Sequence, residues 1–268
     1  MIPRPARVRN SGIAVDAMLV YISCMVRRLE KRGLWGTAIV AIMLGAVAGG
    51  EVHGMEQRLR DEFLAWEAPV FGPAAHARRT HTELTRAVAA TDGDTSDIGL
   101  ARQANLLMLR SFIEIYRLDL RDDARETLAE ARIHAERLVD RSPSAFAYRT
   151  LADISAQQML LASTLQIISL APRVEQLAKK ALEYDKHDAG AINLIAFGRL
   201  NAPRLFGGNP EEAQTLFLRA LESPEIMPSQ RFAAYIGLAE TLEKLRRREE
   251  AAVYRERARE LFPDHWDL

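Results

Sequence analysis

Residues 235–263 read "YIGLAETLEKLRRREEAAVYRERARELFP", and the placement of apolar residues in this stretch decides the fold. Before the charged run RRREE, Tyr235, Leu238, Ala239 and Leu242 recur at helical spacing on one face. After it, Ala251 and Ala258 are seven residues apart, two helical turns, and share a face as well. Two amphipathic helices with a short polar link make an antiparallel hairpin. Small residues let the two helices approach closely, while the large ones fill the groove between this pair and the next. Pro263 ends the unit, because proline cannot continue a helix.

The same grammar extends backwards. "KALEYDKHD" at 180–188 is another unit end, with Ala181 in the second alanine slot. The following unit opens at Ala189 with Ile192, Ile195 and Ala196, and its second helix supplies Ala213, Phe217 and Ala220. Ala213 arrives five residues later than the period predicts, and the insertion lies within "NAPRLFGGNPEEA" at 201–213. Further upstream, "DDARETLAEARIHAERL" keeps the Ala124, Leu128, Ala131 spacing in longer segments, which marks degenerate repeats. Amphipathic segments are expected at 55–67, 74–90, 97–119, 122–140, 144–169, 172–185, 189–200, 210–222, 229–245 and 248–262, ten helices forming five hairpins. The fold class is all-α, a stack of antiparallel helical hairpins. Residues 55–90, with Phe63 and Trp66, are expected to cover the exposed face at one end of the stack, and Trp266 to fold back onto the last hairpin at the other.

The block 177–263 resembles the tetratricopeptide-repeat (TPR) superfamily: Tyr235, Leu238, Ala239, Leu242, Ala251, Ala258 and Pro263 fall where that repeat of 34 residues places its aromatic, leucine, small, large apolar, two alanine and closing proline positions. Arg255 replaces the usual aromatic. "APRLFGGNPEEAQTLFLRAL" at 202–221 is similar to bacterial exported TPR-like proteins with an AP-x-x-FGG insertion between the two helices of one repeat, and more distantly to T-component proteins of tripartite (TRAP) periplasmic transporters. This chain lacks the lipoprotein cysteine of the latter. The superfamily resemblance implies a curved helical stack that binds proteins or peptides and catalyses no reaction. The transporter resemblance implies an alternative, a ligand-binding accessory component with an enclosed apolar pocket near Phe197, Leu205 and Phe206.

Composition agrees with one or two domains able to bury a core: 268 residues, 48% hydrophobic and 27% charged. Thirty-six basic residues balance thirty-six acidic ones, so the strong positive field that nucleic acids select is missing and no nucleic-acid partner is expected. Residues 27–50, "RRLEKRGLWGTAIVAIMLGAVAGG", place basic residues before an uncharged run ending in Ala46-Val47-Ala48, the layout of a signal peptide. The expected organisation is a doubtful extension at 1–24, a signal peptide or membrane anchor at 25–48 and a TPR-like domain at 49–268, with Met25 as a natural start. Membrane contact is expected only through an uncleaved leader, and the location is expected to be periplasmic or envelope-associated. Cys24, the only cysteine, falls before the mature domain, which therefore holds no disulfide and no thiol nucleophile.

No catalytic constellation survives inspection, and neither cofactor nor metal is expected. Gly207-Gly208 precede a helix start, as in phosphate loops, yet Glu211 and Glu212 put negative charge where an anion would sit. Capping accounts for the same residues: Asn209 as N-cap, Pro210 in the first helical position, Glu212 reaching back, and the glycines supplying backbone angles closed to other residues. Leu205 and Phe206 are expected to tuck against neighbouring helices. His76 and His81, five apart, point to different sides of a helix, and "TDGDTSD" at 91–97 lacks the closing glutamate of a calcium loop, leaving Asp97 as a helix cap.

Binding is expected on the face formed by the first helices of each pair, where repeat geometry exposes Asn193, Phe197 and Asn201 with Arg204 beyond them, then Ile236, Glu240 and Lys244. The long apolar run "QQMLLASTLQII" at 157–168 reads as core, or as a surface for a partner helix. The partner expected is a protein or peptide of the cell envelope.

Overall fold

A computed structural model describes residues 57–263, which belong to the compact unit Met55–Leu268. The expectations for 1–24, 25–48 and Trp266 lie outside the described residues.

Ten α-helices follow one another, with no strand among the described residues: α1 (57–71), α2 (Ala77–Ala90), α3 (Asp97–Tyr116), α4 (Arg121–Arg141), α5 (Ala145–Leu160), α6 (Thr164–Tyr184), α7 (Ala189–Asn201), α8 (Pro210–Leu221), α9 (Pro228–Lys244) and α10 (Arg248–Leu261). Short polar side chains start several of them by accepting a free backbone N–H of the first turn. Ser96 accepts from Gly99 at 3.1 Å, Ser144 from Ala147 at 3.2 Å and Asp188 from Ala191 at 2.8 Å. Asp97 is therefore not the cap of α3 but its first residue, where its charge meets Arg141 at 3.0 Å.

The largest departure from the expected segments lies between α5 and α6. The run 144–169 is broken at Leu161–Ser163, and Pro172 lies inside α6 instead of at the start of a helix. Gln166 accepts from the Ser163 backbone N–H at 2.8 Å and from its hydroxyl at 3.0 Å, a cap that starts α6 early. Proline removes the donor that the Ile168 carbonyl would use, and Ile168 is exposed, so water can satisfy that carbonyl.

Successive helices pack against each other throughout α2 to α10, and α3 also packs on α5, α5 on α7 and α7 on α9. First helices thus meet first helices more closely than second helices meet second helices, which makes the first helices the inner side of the curve. Polar contacts sew this inner row together: Asn105 to Thr150 at 3.4 Å, Ser111 to Gln157 at 2.8 Å and Asn193 to the Gln230 carbonyl at 2.8 Å. The small-residue slots read from sequence, Ala181, Ala196, Ala213, Ala220, Ala239, Ala251 and Ala258, are all buried, as are Phe217, Leu238 and Leu242. Ala124, Leu128 and Ala131 of the degenerate repeat are buried too. Arg255, standing where an aromatic was expected, crosses to Glu243 on α9 at 2.6 Å.

Candidate partner-binding face

The expected face divides into three parts. Asn193 is buried, at 4% exposure, because that side of α7 packs on α9: its Nδ2 donates to the Gln230 carbonyl, and it does not face a partner. Phe197 and Ile236 are half-buried, with Phe197 edge-on to Phe217 at 4.9 Å between ring centroids. Asn201, Arg204, Glu240 and Lys244 are exposed. Lys244 reaches back to donate to the Leu200 carbonyl at 2.7 Å, satisfying an otherwise unpaired helix-end acceptor, so the ends of α7 and α9 are joined where Asn201 is displayed.

The insertion after α7 is closed by its own backbone hydrogen bonds. Pro203 O accepts from Phe206 N–H at 2.8 Å and from Gly208 N–H at 3.1 Å, closing a 3-10 turn over Arg204–Phe206. Gly207 has φ of +88°, and a Cβ on Gly208 would lie 1.8 Å from the Ala202 carbonyl oxygen, so both positions require glycine. Asn209 accepts from Glu212 N–H at 3.1 Å as its cap. The reciprocal half of that cap is not made: Asn209 N–H donates to Arg199 O at 2.8 Å, and the Glu212 carboxylate accepts from Arg199 Nε at 3.0 Å. Arg199 also donates to both oxygens of Glu175 on α6, at 2.8 and 3.1 Å, and these bonds hold the Glu175 carboxyl down to about 2.

Leu205 and Phe206 do not tuck inward. They are 89% and 69% exposed, because the turn, the glycines and the Arg199 clamp fix the loop without them. With half-buried Phe197 they do not form the enclosed apolar pocket expected there for a ligand-binding accessory component. Two surface depressions lie elsewhere: one on α6 lined by Arg173, Gln176, Leu177, Lys179, Lys180 and Glu183, the other lined by Thr95, Leu100, Arg137, Asp140 and Arg141.

Helix α1 adds contacts that spacing did not reveal. It runs along the inner row: Phe63 stacks on Phe146 of α5 at 6.5 Å, and Glu62 accepts from Arg102 Nε of α3 at 2.8 and 2.9 Å. Beyond these neighbours it reaches α9. Glu67, buried, accepts from the backbone N–H of Ser229 at 3.1 Å and from its hydroxyl, at the N-terminal turn of α9 where a carboxylate is favoured. Burial pushes this carboxyl up, while the two bonds from Ser229 oppose that. Arg60 pairs with Glu225, and Phe71 meets Phe232 at 6.1 Å and Phe262 at 4.8 Å. The expected role of 55–90 as an end cover is thus only part of what this helix does. Residues separated by 162 and 165 positions leave no periodic signal to read.

Hairpins of buried alanines and an inner row of first helices define a TPR-like helical-repeat protein. In structure the chain is similar to a thermophilic TPR protein in Thermus thermophilus, with a TM-score of 0.50 and 17% identity over 72% of this chain and 87% of that one. The likeness is one of fold. No family model matches the chain, and no curated protein sequence matches it.

Proposed function

We propose that this chain is a non-catalytic scaffold of the cell envelope that holds a protein partner at the end of the stack where α7 and α9 finish. One observation carries the reading: a loop closed by backbone hydrogen bonds and held by an arginine clamp presents Leu205 and Phe206 to solvent beside Asn201 and Arg204. Large exposed apolar side chains on a fixed frame lose little freedom on binding, which is the property of an interface anchor. Lys244, which reaches the end of α7, and exposed Glu240 one turn earlier on α9 supply charge of both signs, suited to the rim of such an interface. The envelope location rests on the signal-peptide layout of residues 27–50.

The test is the double variant Leu205→Ser/Phe206→Ser, compared with wild type in crosslinked capture from envelope extract of the native host and in urea unfolding. Loss of a specifically captured protein with stability unchanged within about 0.5 kcal/mol supports the reading. Equal capture by both forms sinks it. A thermal-shift screen with metals, nucleotides and organic acids checks the non-catalytic part, since a ligand of the native state raises apparent stability.

A further inference from the structure

In a repeat stack each unit touches only its neighbours, so contacts between the first and last hairpins are additions to the local fold. Here they form one compact set: Glu67 with Ser229, Arg60 with Glu225 in the link before α9, and the ring of Phe71 with those of Phe232 and Phe262. Met227, in the link before α9, packs with the cluster that contains Leu59 and Phe63. None of these belongs to the packing of one hairpin on the next. Each hairpin keeps its own buried alanines and leucines if the set is broken. Separately from this set, α1 is held on α3 by Glu62, which accepts from Arg102 Nε at 2.8 and 2.9 Å.

We infer that the α1–α9 contact is a latch, which opens and closes the inner side of the stack without unfolding any hairpin. The chemistry suits reversible contact. The polar half places a buried carboxylate on two donors at a helix start, and the aromatic half brings the half-buried rings of Phe71 and Phe262 onto buried Phe232. Closed, the latch covers Phe71 and Phe232 and ties the inner row into a loop. Parted, it uncovers an aromatic surface on the concave side and leaves the α7–α8 insertion untouched, so the latch stands or falls separately from the partner-binding reading.

The test uses the full chain with Cys24→Ser and the pair R60C/E225C, joined or not by a short bismaleimide. Backbone hydrogen exchange is followed at Ser229, whose N–H is held by Glu67 only in the closed form. Linking is expected to slow exchange at 229–232 about tenfold, while exchange within α4 and α5 stays the same, as for sub-global opening. Identical exchange in linked and unlinked protein overturns the latch, because the contact then never opens on its own. A second variant, E67K/F262A, reads the opposite direction in solution scattering and circular dichroism. A larger radius of gyration at unchanged helicity supports it; unchanged size, or a general loss of helix, overturns it.

Discussion

The ring of Phe217 on α8 lies directly over the backbone of Gly237 on α9: a Cβ added there would sit 2.2 Å from Phe217 Cζ. Phe217 is completely buried among Ala196, Leu200, Ala213, Ala234 and Leu238, so the ring has no room to withdraw. Gly237→Ala is expected to destabilise by about 1–3 kcal/mol, as overpacking of a closed core does. Urea unfolding of G237A, F217A and the double variant checks it. The double variant should lose clearly less than the sum of the singles, since one clash disappears with the ring.

The insertion should separate its frame from its display. Gly208→Ala drives a methyl into the Ala202 carbonyl, and Gly207→Ala forces a side chain into φ of +88°; each is expected to cost about 1 kcal/mol or more. Leu205 and Phe206, being exposed, should be replaceable without measurable loss. Thermal unfolding of the four single variants gives the ordering directly.

The clamp between α6, α7 and the insertion depends on the geometry of one guanidinium. Arg199→Lys keeps the charge but cannot serve Glu175 with two donors and Glu212 with a third, so loosening of the insertion is expected. Because these groups are partly solvated, the cost should be near 1 kcal/mol. Glu175, held down to about 2, contributes stability that is present above the ordinary carboxylate range and is lost as pH falls toward that value. Glu175→Gln should therefore flatten the acid limb of the unfolding profile.

Asp153 behaves in the opposite sense. Burial pushes its carboxyl up to about 6; neighbouring Asp188 adds to the shift and Arg149 opposes it. Arg149 is shared, donating to Asp188 at 3.0 Å and reaching Asp153 only at 3.4 Å. A carboxyl whose affinity for protons is higher folded than unfolded stabilises most below its unfolded value and loses that contribution as pH rises through about 6. Wild-type Tm should accordingly fall between pH 5 and 7 relative to Asp153→Asn. A Tm series over that range for both proteins decides it.

Much of the fold was legible because it rests on local rules. Ala251 and Ala258, or Ala213 and Ala220, share a face through helical periodicity alone, and all four are buried. The cap at Asn209 follows from a side chain three residues from the N–H that it accepts. The break at Pro172 misled because proline's penalty is local, whereas the Ser163–Gln166 cap and the solvent around Ile168 settled where α6 began.

The site was less legible, and for a definite reason. Periodicity assigns a residue to a helix face but not to what that face meets. Asn193 and Asn201 lie eight residues apart on α7, yet the first is buried against α9 and the second is open to solvent. Leu205 and Phe206 are apolar and were expected inside, but the turn closes through backbone hydrogen bonds and leaves them outside.

The sequence by itself determined the helices, their pairing into hairpins and the small-residue seams, since these depend on spacings of three, four and seven residues. Only the tertiary structure decided that α1 reaches α9, that Glu67 caps a helix 162 positions away, and that the insertion displays its apolar pair. The curvature of the stack sets the first two relationships, and curvature accumulates from small rotations between successive hairpins that no single stretch of sequence records; the third is set by the backbone turn of the insertion and its clamp to α6.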